Sequence, residues 1–222
     1  MNLRRRFLVF ASTLLFSRPS PAQTAIAAMR FSALQPGAPL PEWLKPYTFP
    51  NRPRHTEFAL IADEGRTVLR ARAVASTSGL ARELRVDPRS HPLLAWRWKV
   101  TNLILKSDLA TRSGDDFPAR LYVTFEGNSR ALCYVWDSRL PVGTIAANAY
   151  SARVQMVVAD SGAAELGRWV ARERDVVADF RRAFGMEPPS ISGVIVSADS
   201  DNTGESAESF FGDVEFRSRP TS

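Results

Sequence analysis

Apolar and polar residues alternate with a period of two through most of the chain after Thr56. That period belongs to β-strands, whose successive side chains point to opposite faces. The clearest case is 93–100, where Leu94, Trp96, Trp98 and Val100 share one face while Ala95, Arg97 and Lys99 share the other. Residues 58–62 and 67–74 flank Asp63-Glu64-Gly65 and predict a hairpin. Further strands are predicted over 80–86, 119–125, 131–136, 153–159, 191–198 and 210–216. One segment breaks the period. Val176, Val177, Phe180 and Phe184 recur at helical spacing, and Gly185 with Pro188-Pro189 supplies the stop. Many short strands with one short helix near 174–184 predict an all-β jelly-roll sandwich over 55–218.

The N-terminal part has a different grammar. Arg4-Arg5-Arg6 precedes the apolar run 7–16, and Ser20-Pro21-Ala22 places small residues at the first and third positions. Positive, apolar and small-residue regions in that order predict a signal peptide, 1–22, cleaved near Ala22. The apolar run is shorter than the ~20 residues a membrane span needs. The mature chain is therefore expected in the periplasm or outside the cell, with no membrane span. Residues 23–54 hold Pro36, Pro39, Pro41, Pro46, Pro50 and Pro53 and predict an extended lead-in that packs Trp43 and Phe49 on the body.

Charge changes the picture once position is considered. The formal net charge of +6 suggests nucleic acid. Four of the 29 basic residues lie in the first 22, which hold no acid, so 25 basic residues face 23 acidic ones in the rest, or +2. A nearly balanced domain has little electrostatic reason to seek phosphate, and no nucleic-acid partner is expected. The lone cysteine, Cys133, cannot form an internal disulfide and reads as a small buried hydrophobe.

Candidate chemistry gathers in a few places. Asp199-Ser200-Asp201-Asn202-Thr203-Gly204-Glu205 alternates oxygen-bearing side chains, like the first half of a calcium loop, although Phe210 stands where such a loop ends in Glu. Asp199, Asp201, Thr203 and Glu205 are the candidate calcium ligands; a polar turn and direct ligand contact are the alternatives. Asp115 and Asp116 are adjacent, so only one of them reaches any given site on a strand. A polar, aromatic sheet face is expected from Arg97, Arg120, Tyr122, Tyr134, Trp136 and Arg153, with Asp116, Asp199, Asp201 and Asn202 as its rim. His55 and His91 sit in proline-flanked loops, and no nucleophile elbow or phosphate loop is present.

The chain resembles bacterial exported proteins grouped as domain-of-unknown-function family 3047. The likeness is carried by 94–100, by 115–116 with 119–123, by 134–136 with 140–144, by 174–176 with 179–185 and by 200–204. It spans about Phe58 to Phe216 and implies no activity. The C-terminal third is similar in layout to galactose-binding-like jelly rolls, with Gly167-Arg168-Trp169-Val170 as a tryptophan strand. The favoured expectation is a non-catalytic periplasmic domain that binds a glycan or another polar envelope component. The rivals are a carboxylate-based hydrolase and a protein-interaction module.

Overall fold

The structure is a computed structural model that describes residues 23–127 and 130–220. The segment read as a signal peptide, with its cleavage point at Ala22, lies outside the described residues. In chain order the strands are β1 (Ala25–Met29), β2 (Lys45–Tyr47), β3 (Glu57–Asp63), β4 (Arg66–Val74), β5 (Thr77–Val86), β6 (Leu93–Val100), β7 (Arg120–Phe125), β8 (Ala131–Asp137), β9 (Ile145–Ala147), β10 (Val154–Ser161), β11 (Val170–Asp175), β12 (Ile191–Asp199) and β13 (Ser206–Arg217). Among the described residues the single α-helix is α1 (Val176–Phe184).

The strands form a jelly-roll-type sandwich of two sheets. One has the order β11-β6-β13-β4-β3, with β1 paired to the far half of β13. The other has the order β2-β5-β12-β7-β8-β10-β9. Pairing is antiparallel except between β8 and β10. That exception follows from the connection: the chain leaves β8, runs out to form β9 on the far side of β10, and returns in the direction of β8. The proline-rich segment 23–54, read as a lead-in ahead of the sandwich, holds a 3-10 turn at Phe31–Ala33. It also adds an edge strand to the seven-stranded sheet through β2 and a strand to the other sheet through β1.

The inner faces meet in an aromatic core. Leu94, Trp96, Trp98 and Val100 of β6 are all buried on the face their alternation assigns them. Trp96 packs on Tyr134 at 5.3 Å between ring centroids, and Trp98 on Trp136 at 6.2 Å. Most polar ring atoms that enter this layer find a partner, Trp96 Nε1 being the exception among the described residues. Trp98 Nε1 donates to Asp160 Oδ2 at 2.7 Å, the Tyr134 hydroxyl donates to Asp179 Oδ2 at 3.0 Å, and Trp136 Nε1 donates to the Gly162 carbonyl at 3.1 Å. Tyr134 and Trp136 therefore belong to the core and not to an exposed polar face. The reason is that β8 is central and buried on both sides, so its sequence carries no polar phase.

Helix α1 forms where its signals lie. Asp175 caps the first turn by accepting from the Val177 and Ala178 amides, both at 3.1 Å. Gly185 closes it in the left-handed region at φ +68°, which a residue with a Cβ enters at a cost. Phe180 stacks between Phe125 and Phe184. Arg174, just ahead of the helix, grips Asp179 through two N–H groups at 2.9 and 2.6 Å, so the helix is tied to β8 and β11 through one carboxylate.

Candidate functional site

The outer face of the seven-stranded sheet is divided in two. Over one part, Leu109 and Phe117 from the long β6–β7 connection cover Cys133, Val135, Met156 and Val158. Beside this cover lies an open cleft of about 510 Å³. Its floor comes from β7 and β12, one wall from the segment after β2, and the other from the turn between β9 and β10 and the loop after β12.

Arg120 organises the floor. Its place in β7 turns it outward, yet it is only 2% exposed. Nε donates to Asp199 Oδ1 at 2.9 Å, and Nη2 lies 2.7 Å from Asp199 Oδ2. Nη2 also donates to the Asp115 carbonyl at 2.5 Å and to Asp115 Oδ1 at 3.1 Å. Nη1 makes only a long contact, 3.4 Å, to the Tyr122 hydroxyl. One guanidinium thus serves two carboxylates. Burial pushes the Asp199 carboxyl up to about 7; Arg120 opposes that shift, and Asp116 and Asp115 add to it.

The loop after β12 closes the polar end. Asn202 Nδ2 donates to the Asp115 carbonyl at 3.2 Å and to Asp116 Oδ1 at 3.1 Å, and the Thr203 amide donates to Asp116 Oδ2 at 2.6 Å. Arg52 Nη1 lies 2.5 Å from Asp201 Oδ2, and Arg52 Nη2 donates to Asn202 Oδ1 at 3.1 Å. The Tyr150 hydroxyl donates to the same Asn202 oxygen at 2.8 Å. Asn148 Nδ2 donates to Asp115 Oδ2 at 2.9 Å. Above this network stand three exposed rings: Tyr47 at 38%, Phe49 at 40% and Tyr150 at 46%.

The four expected calcium ligands do not converge. The Glu205 carboxylate is turned away and accepts from the Leu105 and Lys106 amides, and Thr203 Oγ1 accepts from the Glu205 amide. Asp116 takes their place: one oxygen each from Asp116, Asp199 and Asp201 lie within 4.8 Å of one another. These carboxylates already have partners in Thr203 and Asn202, in Arg120 and in Arg52.

Of the ten expected ligand-binding residues, Arg120, Tyr122, Asp199, Asp201 and Asn202 line the cleft together. Asp116 lies directly behind it, fully buried, and Asp115 lines it. The two sit in the turn before β7 and not on a strand, so alternation does not separate them, and both carboxylates join the same network, which corrects the expectation that only one could. Tyr134 and Trp136 are in the core. Arg97 is on the outer face of the other sheet, and Arg153 is exposed at the turn before β10, outside the cleft. The expectation of one face built from all six residues is therefore corrected: alternation sorts side chains to inside or outside but does not say which sheet a strand joins. Phe49, expected to pack on the body, is instead exposed at the cleft, and Tyr47, Arg52, Asn148 and Tyr150 were not anticipated. Their signal was aromatic residues placed within polar, turn-forming sequence.

Cys133 lies under the covering loop, and burial pushes its thiol up to about 12. A thiol held protonated is a poor nucleophile. The folded protein is expected to resist maleimide labelling and to react fully in guanidinium, as mass spectrometry would read. Rapid labelling of the native protein would show that the cover opens.

Comparisons with known proteins place the chain. No curated protein matches it. Among solved structures it is similar to a mutant of a family 29 carbohydrate-binding module, at 8% identity and a TM-score of 0.42, covering 87% of this chain and 91% of that one. It is also similar to the family 30 carbohydrate-binding module of a cellulosomal cellulase of Clostridium thermocellum, at 11% identity and a TM-score of 0.41, covering 89% of this chain and 99% of that one. A family profile matches residues 41–215, and by that match the chain belongs to the family described as "Protein of unknown function (DUF3047)".

Proposed function

We propose that the protein is an exported, periplasmic binding domain whose cleft holds a neutral glycan segment without transforming it. The observation that carries this reading is the pairing of exposed rings with a fixed polar floor. Tyr47, Phe49 and Tyr150 can lie against the C–H faces of sugar rings. Asn148, Asn202, Arg52 and the floor carboxylates offer donors and acceptors at the same depth, already oriented by one another. The charge balance favours a neutral sugar. Asp115, Asp116, Asp199 and Asp201 face Arg52 and Arg120, so an anionic ligand would meet an excess of carboxylates. The same carboxylates are engaged by guanidinium, amide or side-chain N–H groups, which suits a scaffold for recognition better than a free acid–base pair.

The test is calorimetry and affinity electrophoresis with neutral and uronic-acid polysaccharides. Binding to at least one neutral glycan is expected. Tyr150→Ala and Tyr47→Ala should each weaken it by about tenfold or more. Their melting temperatures should change little, because both side chains are exposed. A protein that binds no neutral glycan, or whose binding ignores both substitutions, would sink the reading.

A further inference from the structure

The opposite face of the sandwich carries a second groove, about 400 Å³, across β6, β11 and β13. Arg97 lines it. Alternation in β6 buries Trp96 and Trp98 and turns Arg97 outward, so its position follows from the strand period. What holds it there is less usual. Strand β13 slips register between Phe211 and Val214, and this brings Gly212 under the Arg97 stem. A Cβ at Gly212 would come within 2.5 Å of Arg97 Cγ and 2.6 Å of Nε, so any larger residue there would push the Arg97 side chain out of its present seat. Beyond the stem, the guanidinium carbon lies 4.4 Å from the centre of the Trp169 ring.

Arg97 is held yet uncompensated. Among the described residues its guanidinium makes no hydrogen bond and no ion pair. Of the other charged groups that line the groove, Arg66 alone among the described residues has no ion pair or side-chain hydrogen bond; the rest are engaged. Arg172 is bound to Asp160, Arg217 bridges Glu173 and Glu215, and Asp213 accepts from the Ser32 amide and hydroxyl. A guanidinium already fixed in place loses little further freedom on binding, and its planar fork matches a carboxylate in two-point contact. Glu173, Asp213 and Glu215 line the same groove. They would repel a doubly charged phosphate more than a singly charged carboxylate.

We propose that Arg97, pinned between Trp169 and the Gly212 backbone, anchors a second binding site, separate from the cleft, that takes one carboxylate group of a ligand such as an acidic sugar. The site stands on the other sheet and does not depend on what the cleft binds. The experiment uses the ¹⁵N-labelled protein and follows the Arg97 Nε–H and Trp169 indole N–H signals at constant ionic strength. Sodium glucuronate should shift both signals saturably. Glucose should leave both unmoved, and inorganic phosphate should bind about tenfold more weakly or not at all. Read on the Trp169 signal, which both variants keep, Arg97→Gln should abolish the saturable response, and Arg97→Lys should weaken it about tenfold, because an ammonium keeps the charge and loses the fork. Gly212→Ala tests the same seat from the other side, since its methyl group must displace Arg97, and should weaken glucuronate binding. No saturable shift in the unaltered protein would overturn the proposal whatever the variants do. An unchanged response in Arg97→Gln, or phosphate binding as tightly as glucuronate, would also overturn it.

Discussion

Arg120→Met lowers the free energy of unfolding by about 3–5 kcal/mol, the range found when one partner of a buried ion pair is removed. Urea unfolding should show a lower midpoint at an unchanged slope. The size comes from what is left behind. Asp199 and Asp115 are both buried, and both lean on this guanidinium. Methionine fills much of the volume and supplies no donor, so two carboxylates would remain in a low-dielectric floor. Asp199→Asn in the Arg120→Met background should recover part of the loss, because it removes one stranded charge; the two effects share a network and should not add. A single-variant loss below about 1 kcal/mol would mean that water replaces the guanidinium, and that the floor is open and not built.

The parts of this molecule that were legible in the sequence are those decided by near neighbours. Strand β6 declares its inner face through Leu94, Trp96, Trp98 and Val100, because one side of it meets the core and the other meets water. Helix α1 declares its limits through Asp175 and Gly185, whose roles depend on a few adjacent amides. Strand β8 declares nothing. Leu132, Tyr134 and Trp136 share a phase, as read from the sequence, but Cys133 and Val135 on the other side are buried as well, under Leu109 and Phe117. Which phase is the core is then fixed by a connection some twenty residues away.

The candidate site divides in the same way. Asp199, Asp201 and Asn202 are close in sequence, and Arg120 faces Asp199 because β7 and β12 are neighbours. The rings that line the cleft arrive by longer routes. Tyr47 and Phe49 are brought in by the pairing of β2 with β5, and Tyr150 by the β9–β10 turn. Two of these strands have only three residues, too short to leave a period. Arg97 shows the limit from the other side. It has the outward phase of Arg120 and lies on the opposite sheet, because sheet membership is settled by long-range pairing that alternation does not encode.

Stability should fall as pH rises through the window between the ordinary aspartate value of 3.8 and the Asp199 value of about 7. In that window the folded protein keeps the Asp199 proton while the unfolded chain has lost it. Stability rises with pH only where the unfolded state binds more protons, so here the slope is negative. A raised carboxyl therefore stabilises fully below 3.8 and contributes nothing beyond about 7. Three units correspond to about 4 kcal/mol as an upper bound, since each unit is about 1.4 kcal/mol. Asp160 and Asp201 are raised by burial as well and act in the same direction, while Glu187, lowered by Arg181, acts against them. Asp199→Asn keeps an oxygen for the Phe117 amide and for Arg120 Nε but has no proton to lose, so its urea midpoint should vary less with pH. Equal slopes in the two proteins would mean that Arg120 keeps Asp199 ionised throughout. The two predictions also constrain each other. Without Arg120, protonation becomes the only relief for the floor carboxylates, so the deficit of Arg120→Met should be greatest at alkaline pH and shrink as the solution is made acid.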